Sequence, residues 1–133
     1  MGSIRVFIAD DHNLVREGIR ALIEAAENLE VAGEEERLSQ VAEKVAEIQP
    51  QVLLLDVYFP EGPSFSVCTE LKERFPELKV IFLTGMDDPK IVQESILSEG
   101  DGFLLKGVKL QTFTAAIRDV MAGKSVIDQS VMG

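Results

Sequence analysis

The sequence predicts an α/β fold, a doubly wound parallel sheet with helices on both faces. Five short apolar runs alternate with longer segments of helical period. The central run, Val52-Leu53-Leu54-Leu55, is apolar throughout, as a strand covered on both faces should be. Prolines and glycines punctuate the junctions. Strands alternating with helices imply a parallel sheet, and right-handed crossovers leave few topologies for a chain this short.

Each element has its own signal. Arg5 to Ala9 reads as a buried first strand. Leu14 to Ala26 carries two adjacent helical stripes, Leu14-Gly18-Leu22-Ala26 and Val15-Ile19-Ile23. Leu29 to Gly33 is a short second strand. Leu38, Val41, Val45 and Ile48 mark a second helix, which Pro50 ends. After the central strand, Phe59 to Pro63 holds two prolines and a glycine and reads as a loop. Ser64 is an N-cap candidate for a helix burying Cys68, Leu71 and Phe75, closed by Pro76. Lys79 to Leu83 is the fourth strand. Asp88-Pro89 opens a helix with an acidic cap followed by proline, and Gly100 closes it. Phe103 to Leu105 is the fifth strand. The last helix, Leu110 to Ala122, turns Phe113, Ile117, Val120 and Met121 inward, with Gly123 as its stop. Residues 4–124 form one domain, and 125–133 read as the start of a connection to an output domain absent from this chain.

Composition narrows the function. The 133 residues are 46% hydrophobic and 27% charged, a balance that supports a sizeable core. A net charge of -10 repels nucleic acid and anionic membranes, so this segment is not expected to bind DNA by itself. The single cysteine excludes a disulfide framework, and no Cys/His cluster suggests zinc. No apolar run is long enough to span a bilayer and no secretory signal opens the chain. The expected location is a reducing cytoplasm.

In an open parallel sheet, ligands bind beyond the carboxyl ends of the strands. The residues there are Asp10 and Asp11 after the first strand, Asp56 after the third, Thr84 after the fourth and Lys106 after the fifth. Singly, each acid reads equally well as a solvated loop carboxylate, Thr84 as a turn residue and Lys106 as a surface lysine. Together they describe a site. Three carboxylates in one crevice repel each other, and a single ammonium cannot neutralise them. An all-oxygen, partly open donor set favours Mg²⁺. A carboxylate can itself attack phosphorus, given a cation and a hydroxyl donor for the phosphoryl oxygens. Asp56 is then the nucleophile, Asp10 and Asp11 the metal ligands, Thr84 the hydroxyl donor and Lys106 the cation. His12, beside two acids, reads as a polar loop residue, Cys68 as a small core residue, and Glu34-Glu35-Glu36 as a solvated turn.

Ala9-Asp10-Asp11-His12, Leu54-Leu55-Asp56-Val57 with Pro60, Leu83-Thr84-Gly85 and Gly102 to Lys106 closely resemble the receiver domains of two-component response regulators. The details resemble the NarL/FixJ subfamily: Ile4-Arg5-Val6 through His12, Arg16-Glu17-Gly18, and Ala116-Ile117-Arg118 with Ala122-Gly123. The resemblance implies a five-stranded sheet of order 2-1-3-4-5, a flavodoxin-like arrangement. It implies phosphoryl transfer from a sensor histidine kinase to Asp56. It implies Mg²⁺ held by Asp10, Asp11, Asp56 and the backbone carbonyl of Tyr58. It implies a switch in which Thr84 moves toward the acyl phosphate and Phe103 rotates inward. Dimerisation on phosphorylation follows, and DNA is reached only through a LuxR-type domain further along the chain.

Phe103 stands where a Tyr is commonest, and simple core packing explains it equally well. Phe59 stands in place of a usual Met, Ser64 of a usual Gly, and Glu99 of a frequent Gly. Tyr58 and Met86, two residues after Asp56 and Thr84, are bulky and poor bases, so they are expected to slow hydrolysis of the phosphoryl group. Two alternatives compete. A haloacid-dehalogenase-like phosphatase would need a second Asp two residues after a first-strand nucleophile, where His12 stands instead. A receiver-like interaction module that is never phosphorylated would not need the intact acids, Thr84 and Lys106. A flavin protein of similar topology would need a Ser/Thr/Gly-rich phosphate loop after the first strand.

Overall fold

The computed structural model describes residues 2–86 and 88–127. Its main sheet contains β1 (Ile4–Ala9), β2 (Leu29–Glu35), β3 (Val52–Asp56), β6 (Lys79–Thr84), β7 (Gly102–Leu105) and β8 (Val126–Ile127). Between β3 and the next long strand, the stretch read as a loop forms a small antiparallel hairpin, β4 (Tyr58–Phe59) with β5 (Gly62–Pro63). The helices are α1 (Asn13–Ala25), α2 (Leu38–Ile48), α3 (Phe65–Arg74), α4 (Pro89–Leu97) and α5 (Leu110–Met121). The sheet order is β2-β1-β3-β6-β7-β8, all parallel. Setting the hairpin aside, the five long strands follow the expected order 2-1-3-4-5. A sixth, two-residue strand extends the edge, with Val126 and Ile127 paired to Gly102 and Phe103. It lies within the stretch read as a connection; residues 128–133 of that stretch fall outside the described residues.

Period-two alternation sorts the strand side chains into two layers. Phe7, Leu53, Leu55, Val80, Phe82 and Phe103 face one core with Val41 and Val45 of α2, Cys68 and Leu71 of α3, and Ile91 and Val92 of α4. Val6, Ile8, Leu54, Ile81, Leu83 and Leu104 face the other with Ile19 and Ile23 of α1 and Phe113, Ile117 and Val120 of α5. Both faces are covered, so the strands read as unbroken apolar runs. On α1, Ile19 and Ile23 are buried against the sheet, and Val15, Leu22 and Ala26 pack beside them, so the second stripe and the C-terminal half of the first face the core. Leu14 is 83% exposed and Gly18 is exposed as well. Val15, in the same turn, packs against that core, so Leu14 is exposed on the turn's outer side.

Two helix termini refine the expectations. Asp88 caps α4 as its sequence implies, accepting from the Lys90 N–H at 2.9 Å with Pro89 in the first turn. At the other end of α4, Gly100 donates to the Ser95 carbonyl (2.9 Å) and Glu99 to that of Ile96 (3.0 Å), a Schellman closure. Glu99 occupies its left-handed position at φ 67°. That explains the family's frequent glycine there, because a side chain in this region is strained by about 1 kcal/mol. Gly100 is needed for a different reason: a Cβ there would lie 2.8 Å from the Phe82 ring. Glu99→Gly should therefore raise stability by about 1 kcal/mol in urea denaturation, while Gly100→Ala lowers it. An unchanged midpoint for Glu99→Gly would contradict the strain argument.

Candidate functional site

Sheet register brings the acids together. Ala9 pairs with Leu55 and Asp56 with Leu83, so the chain leaves β1 and β3 side by side where the strand order reverses. The Asp10 N–H is held by the Glu35 carbonyl (3.1 Å) at the end of β2. The Lys106 N–H donates to the Thr84 carbonyl (2.8 Å), which extends the β6–β7 ladder by one residue into the site. Asp10, Asp56 and Thr84 are buried, and Asp11 and Lys106 are partly so.

The Lys106 ammonium lies 2.9 Å from Asp10 Oδ2 and 3.1 Å from Asp56 Oδ2. It donates to Asp56, whereas its contact with Asp10 is an ion pair without hydrogen-bond directionality. Asp10 Oδ1 accepts from the His12 N–H at 2.9 Å. Ring atom Nδ1 of His12 sits 2.9 Å from Asp10, 3.3 Å from Asp11 and 3.8 Å from Asp56. His12 is thus more than a loop residue: its ring stands over the acids. The Asp-Asp-His run was the available signal. A cleft of about 310 Å³ is lined by His12, Val15, Asp56, Tyr58, Thr84, Gly85, Met86 and Lys106. Tyr58 and Met86 therefore flank Asp56 and Thr84 as their spacing implied. Thr84 Oγ1 accepts from the Met86 N–H at 3.1 Å. Phe103 is in the core behind β6, paired in register with Phe82, and does not line the cleft.

Two supports were not read correctly from sequence. Ser64 precedes α3, but its hydroxyl makes no cap; it donates to the Asp56 carbonyl at 2.6 Å. Its N–H donates to the Val57 carbonyl at 2.9 Å, so Ser64 locks the backbone on either side of the Asp56–Val57 peptide. The Glu61 carboxylate, at the hairpin tip, accepts from the Leu38 N–H (2.6 Å) and the Ser39 N–H (3.1 Å) of α2. It ties the segment after Asp56 to a neighbouring helix and uses donors that open every helix. These amide bonds hold the Glu61 carboxyl below the usual range. Cys68 is buried and points its thiol at the Ser98 carbonyl (3.2 Å), and burial pushes it up to about 12. It is a core residue, as read.

Burial and charge pull the ionisation of the cluster in opposite directions. Burial, then the charge of Asp10, raises the Asp56 pKa to about 6 against the pull of Lys106. Burial also pushes Asp10 up, but the His12 backbone N–H and the Lys106 ammonium outweigh it and hold Asp10 below the usual range. Lys106 is desolvated too, yet the two carboxylates keep it above its ordinary value. Asp11 Oδ1 is a buried acceptor without a hydrogen-bond donor, Asp10 Oδ2 is met only by the shared Lys106 ammonium, and ligand atoms of Asp10, Asp11, His12 and Asp56 lie within 4.8 Å of one another. Buried carboxylate oxygens so clustered around one ammonium fit a further cation.

Residues 6–118 match the family described as the response regulator receiver domain, and the chain belongs to that family. It is 33% identical over 125 residues to the DNA-binding transcriptional activator DevR/DosR of Mycobacterium tuberculosis, covering 94% of this chain and 58% of that protein. The isolated receiver domain of RcsB from Salmonella enterica serovar Typhimurium, solved with the phosphomimetic BeF3-, superposes with a TM-score of 0.88 at 28% identity. That match covers 98% of this chain and 97% of the other. A structure of two RcsB dimers bound to two parallel DNAs matches with a TM-score of 0.88 at 28% identity, over 98% of this chain and 67% of that one. The chain spans about three fifths of the length of the curated relatives it matches. These relatives are response regulators, and neither the phosphatase nor the unphosphorylated-module alternative finds support among them. Among the described residues no helix is long and apolar enough to cross a membrane.

The raised Asp56 pKa has a stability consequence in the metal-free protein. Between the ordinary carboxylate value of 3.8 and about pH 6 the folded chain keeps a proton that the unfolded chain has released. Stability therefore falls as pH rises through this window and stays low above it. Asp56→Asn removes the penalty and should stabilise the EDTA-treated protein by about 2 kcal/mol at pH 7.5, with the gain fading by pH 4. Denaturation curves across that pH range check it; a gain independent of pH would refute the assignment.

Proposed function

We propose that Asp56 is the phosphoacceptor of a two-component phosphorelay and takes its phosphoryl group from a phosphohistidine of a sensor histidine kinase. The observation that carries this reading is a buried carboxylate at the strand-order reversal, with an ammonium 3.1 Å away and two further acids beside it. In the transfer, an Asp56 oxygen attacks phosphorus while the P–N bond of the donor breaks, and the departing imidazole takes up a proton. Lys106 offsets charge on the phosphoryl oxygens. Thr84 exchanges its Met86 contact for one of those oxygens, donating its hydroxyl. Asp10, Asp11, Asp56 and the Tyr58 carbonyl would hold Mg²⁺. When bound, that ion would neutralise the carboxylates and take a phosphoryl oxygen.

The output follows as population shift: the phosphorylated conformer, with Thr84 drawn in and Phe103 packed behind it, favours a homodimer. A LuxR-type DNA-binding domain beyond residue 133 would then act on transcription. RcsB, found as dimers on DNA, and the transcriptional activator DevR/DosR support this reading. The domain works in the cytoplasm as an acceptor and turns over no external substrate.

Intact-mass analysis after incubation with acetyl phosphate and Mg²⁺ should show one phosphoryl adduct on the wild type and none on Asp56→Asn. An adduct of equal yield on the variant would defeat the assignment. The bulk of Tyr58 and Met86 over the cleft further implies slow hydrolysis, because an in-line water must pass them. Tyr58→Asn combined with Met86→Glu should shorten the half-life of the adduct several-fold in a time-resolved dephosphorylation assay, and an unchanged or longer half-life would count against the steric account.

A further inference from the structure

Arg16 lies in the first turn of α1, where a cation opposes the helix dipole. Its environment shows why it is there. Nη1 donates to the main-chain carbonyl of Asp10 at 2.7 Å, and Nη2 donates to the Asn13 side chain. The Nε atom lies 3.5 Å from Glu34 Oε1, and Nη1 lies 3.9 Å from Glu36 Oε2. The side chain is only 15% exposed. The carbonyl it holds belongs to the peptide that joins Asp10 to Asp11. With the Asp10 N–H already fixed by Glu35, the guanidinium fixes the other polar group of that residue. The direction of both carboxylates depends on the plane of this peptide. Asp11 Oδ1 is buried without a hydrogen-bond donor and has the exposed His12 ring 3.3 Å away.

We propose that Arg16 is a positioning residue for cation binding: it sets the Asp10–Asp11 peptide so that both carboxylates face Asp56. This rests on the reading of those acids as metal ligands. An arginine suits the task because its planar fork reaches the carbonyl, Asn13 and the β2 acids together, where a lysine offers one point of contact. Arg20, one turn further along α1, is the natural control. It bonds Glu34 at 2.7 Å from beyond the acid loop.

The sign of the effect separates positioning from simple charge. Deleting a cation near three acids would tighten Mg²⁺ binding if electrostatics alone acted. Loss of positioning weakens it, by roughly tenfold or more as for other groups that orient ligands. Calorimetric titration of the full chain with MgCl₂, alongside urea denaturation in EDTA, tests this on wild type, Arg16→Ala, Arg16→Lys and Arg20→Ala. The expected result is a dissociation constant raised about tenfold in Arg16→Ala, raised less in Arg16→Lys, and left within roughly twofold by Arg20→Ala. Saturating Mg²⁺ should restore the acetyl phosphate reaction rate of the Arg16 variants. Unchanged or tighter binding in Arg16→Ala overturns the proposal, as does equal weakening by Arg20→Ala. If Arg16→Ala does not fold, Arg16→Lys decides by the same criterion. A wild type that binds no Mg²⁺ removes the metal reading and this proposal with it.

Discussion

The mutual repulsion of Asp10, Asp11 and Asp56 is the constraint on which the rest of the site depends. Two like charges about 4 Å apart near a protein surface oppose each other by about 4 kcal/mol. Lys106 reaches only two of the three acids, at 2.9 and 3.1 Å, and leaves Asp11 to the His12 ring. The cluster answers unevenly. Asp10, with an amide and an ammonium, is held below the usual range, and the cost of ionisation falls on Asp56, whose pKa is raised to about 6. A carboxylate that is costly to ionise in the resting state gains the most when a cation arrives.

Such a cluster persists only because its backbone is held from several directions. The sheet supplies the Glu35 and Thr84 carbonyls, one for the N–H of Asp10 and one for that of Lys106. Ser64 takes the Asp56 carbonyl, and Glu61 anchors the following hairpin to the start of α2. Arg16 takes the Asp10 carbonyl. Rigid strands fix where the carboxylates emerge, and side chains from three surrounding segments fix how they point. Thr84 is the exception among the groups facing the cleft. Its hydroxyl makes one bond, accepted from the next loop, and this leaves its donor proton free to seek an oxygen elsewhere.

The parts legible in the sequence were those governed by the sheet. Strands covered on both faces had to be apolar, and residues just beyond them had to lie along one edge. Periodicity thus found Asp10, Asp11, Asp56, Thr84 and Lys106, and the strand order that brings them together came from the family resemblance. Contacts between loops were less visible. Ser64 stands where a cap belongs, and nothing local distinguishes a hydroxyl that caps from one that reaches back eight residues. Glu61 caps a helix 22 residues earlier. Leu14 fits an apolar stripe, yet it stays exposed while Leu22 and Ala26 of that stripe pack on the core. Glu99 is a residue whose strain belongs to its φ angle, and only the backbone reveals it. The basic residue in the first turn of α1 was a usable signal, since electrostatics argues against it unless something nearby needs it.

The geometry also bears on how a local event leaves the domain. Thr84 pairs with Leu105 across β6 and β7, and Phe103 lies two residues back on that strand, on the same face. The outermost strand pairs Ile127 with Phe103, so β8 lies in register with this aromatic residue. Phe103 is buried with Phe82, Ile91 and Val92, and it borders a cleft of about 200 Å³ lined also by Ser95, Ile96 and Gly100 at the end of α4. A ring that shifts moves into that space or carries its neighbours with it. The neighbours that can yield are α4, a short helix closed by the strained Glu99, and the two-residue β8. Both are held more weakly than the central strands. In the proposed switch, a shift passed from Asp56 through Thr84 to Phe103 would meet α4 and β8 before α1 and β2, where Arg16 holds the acid loop.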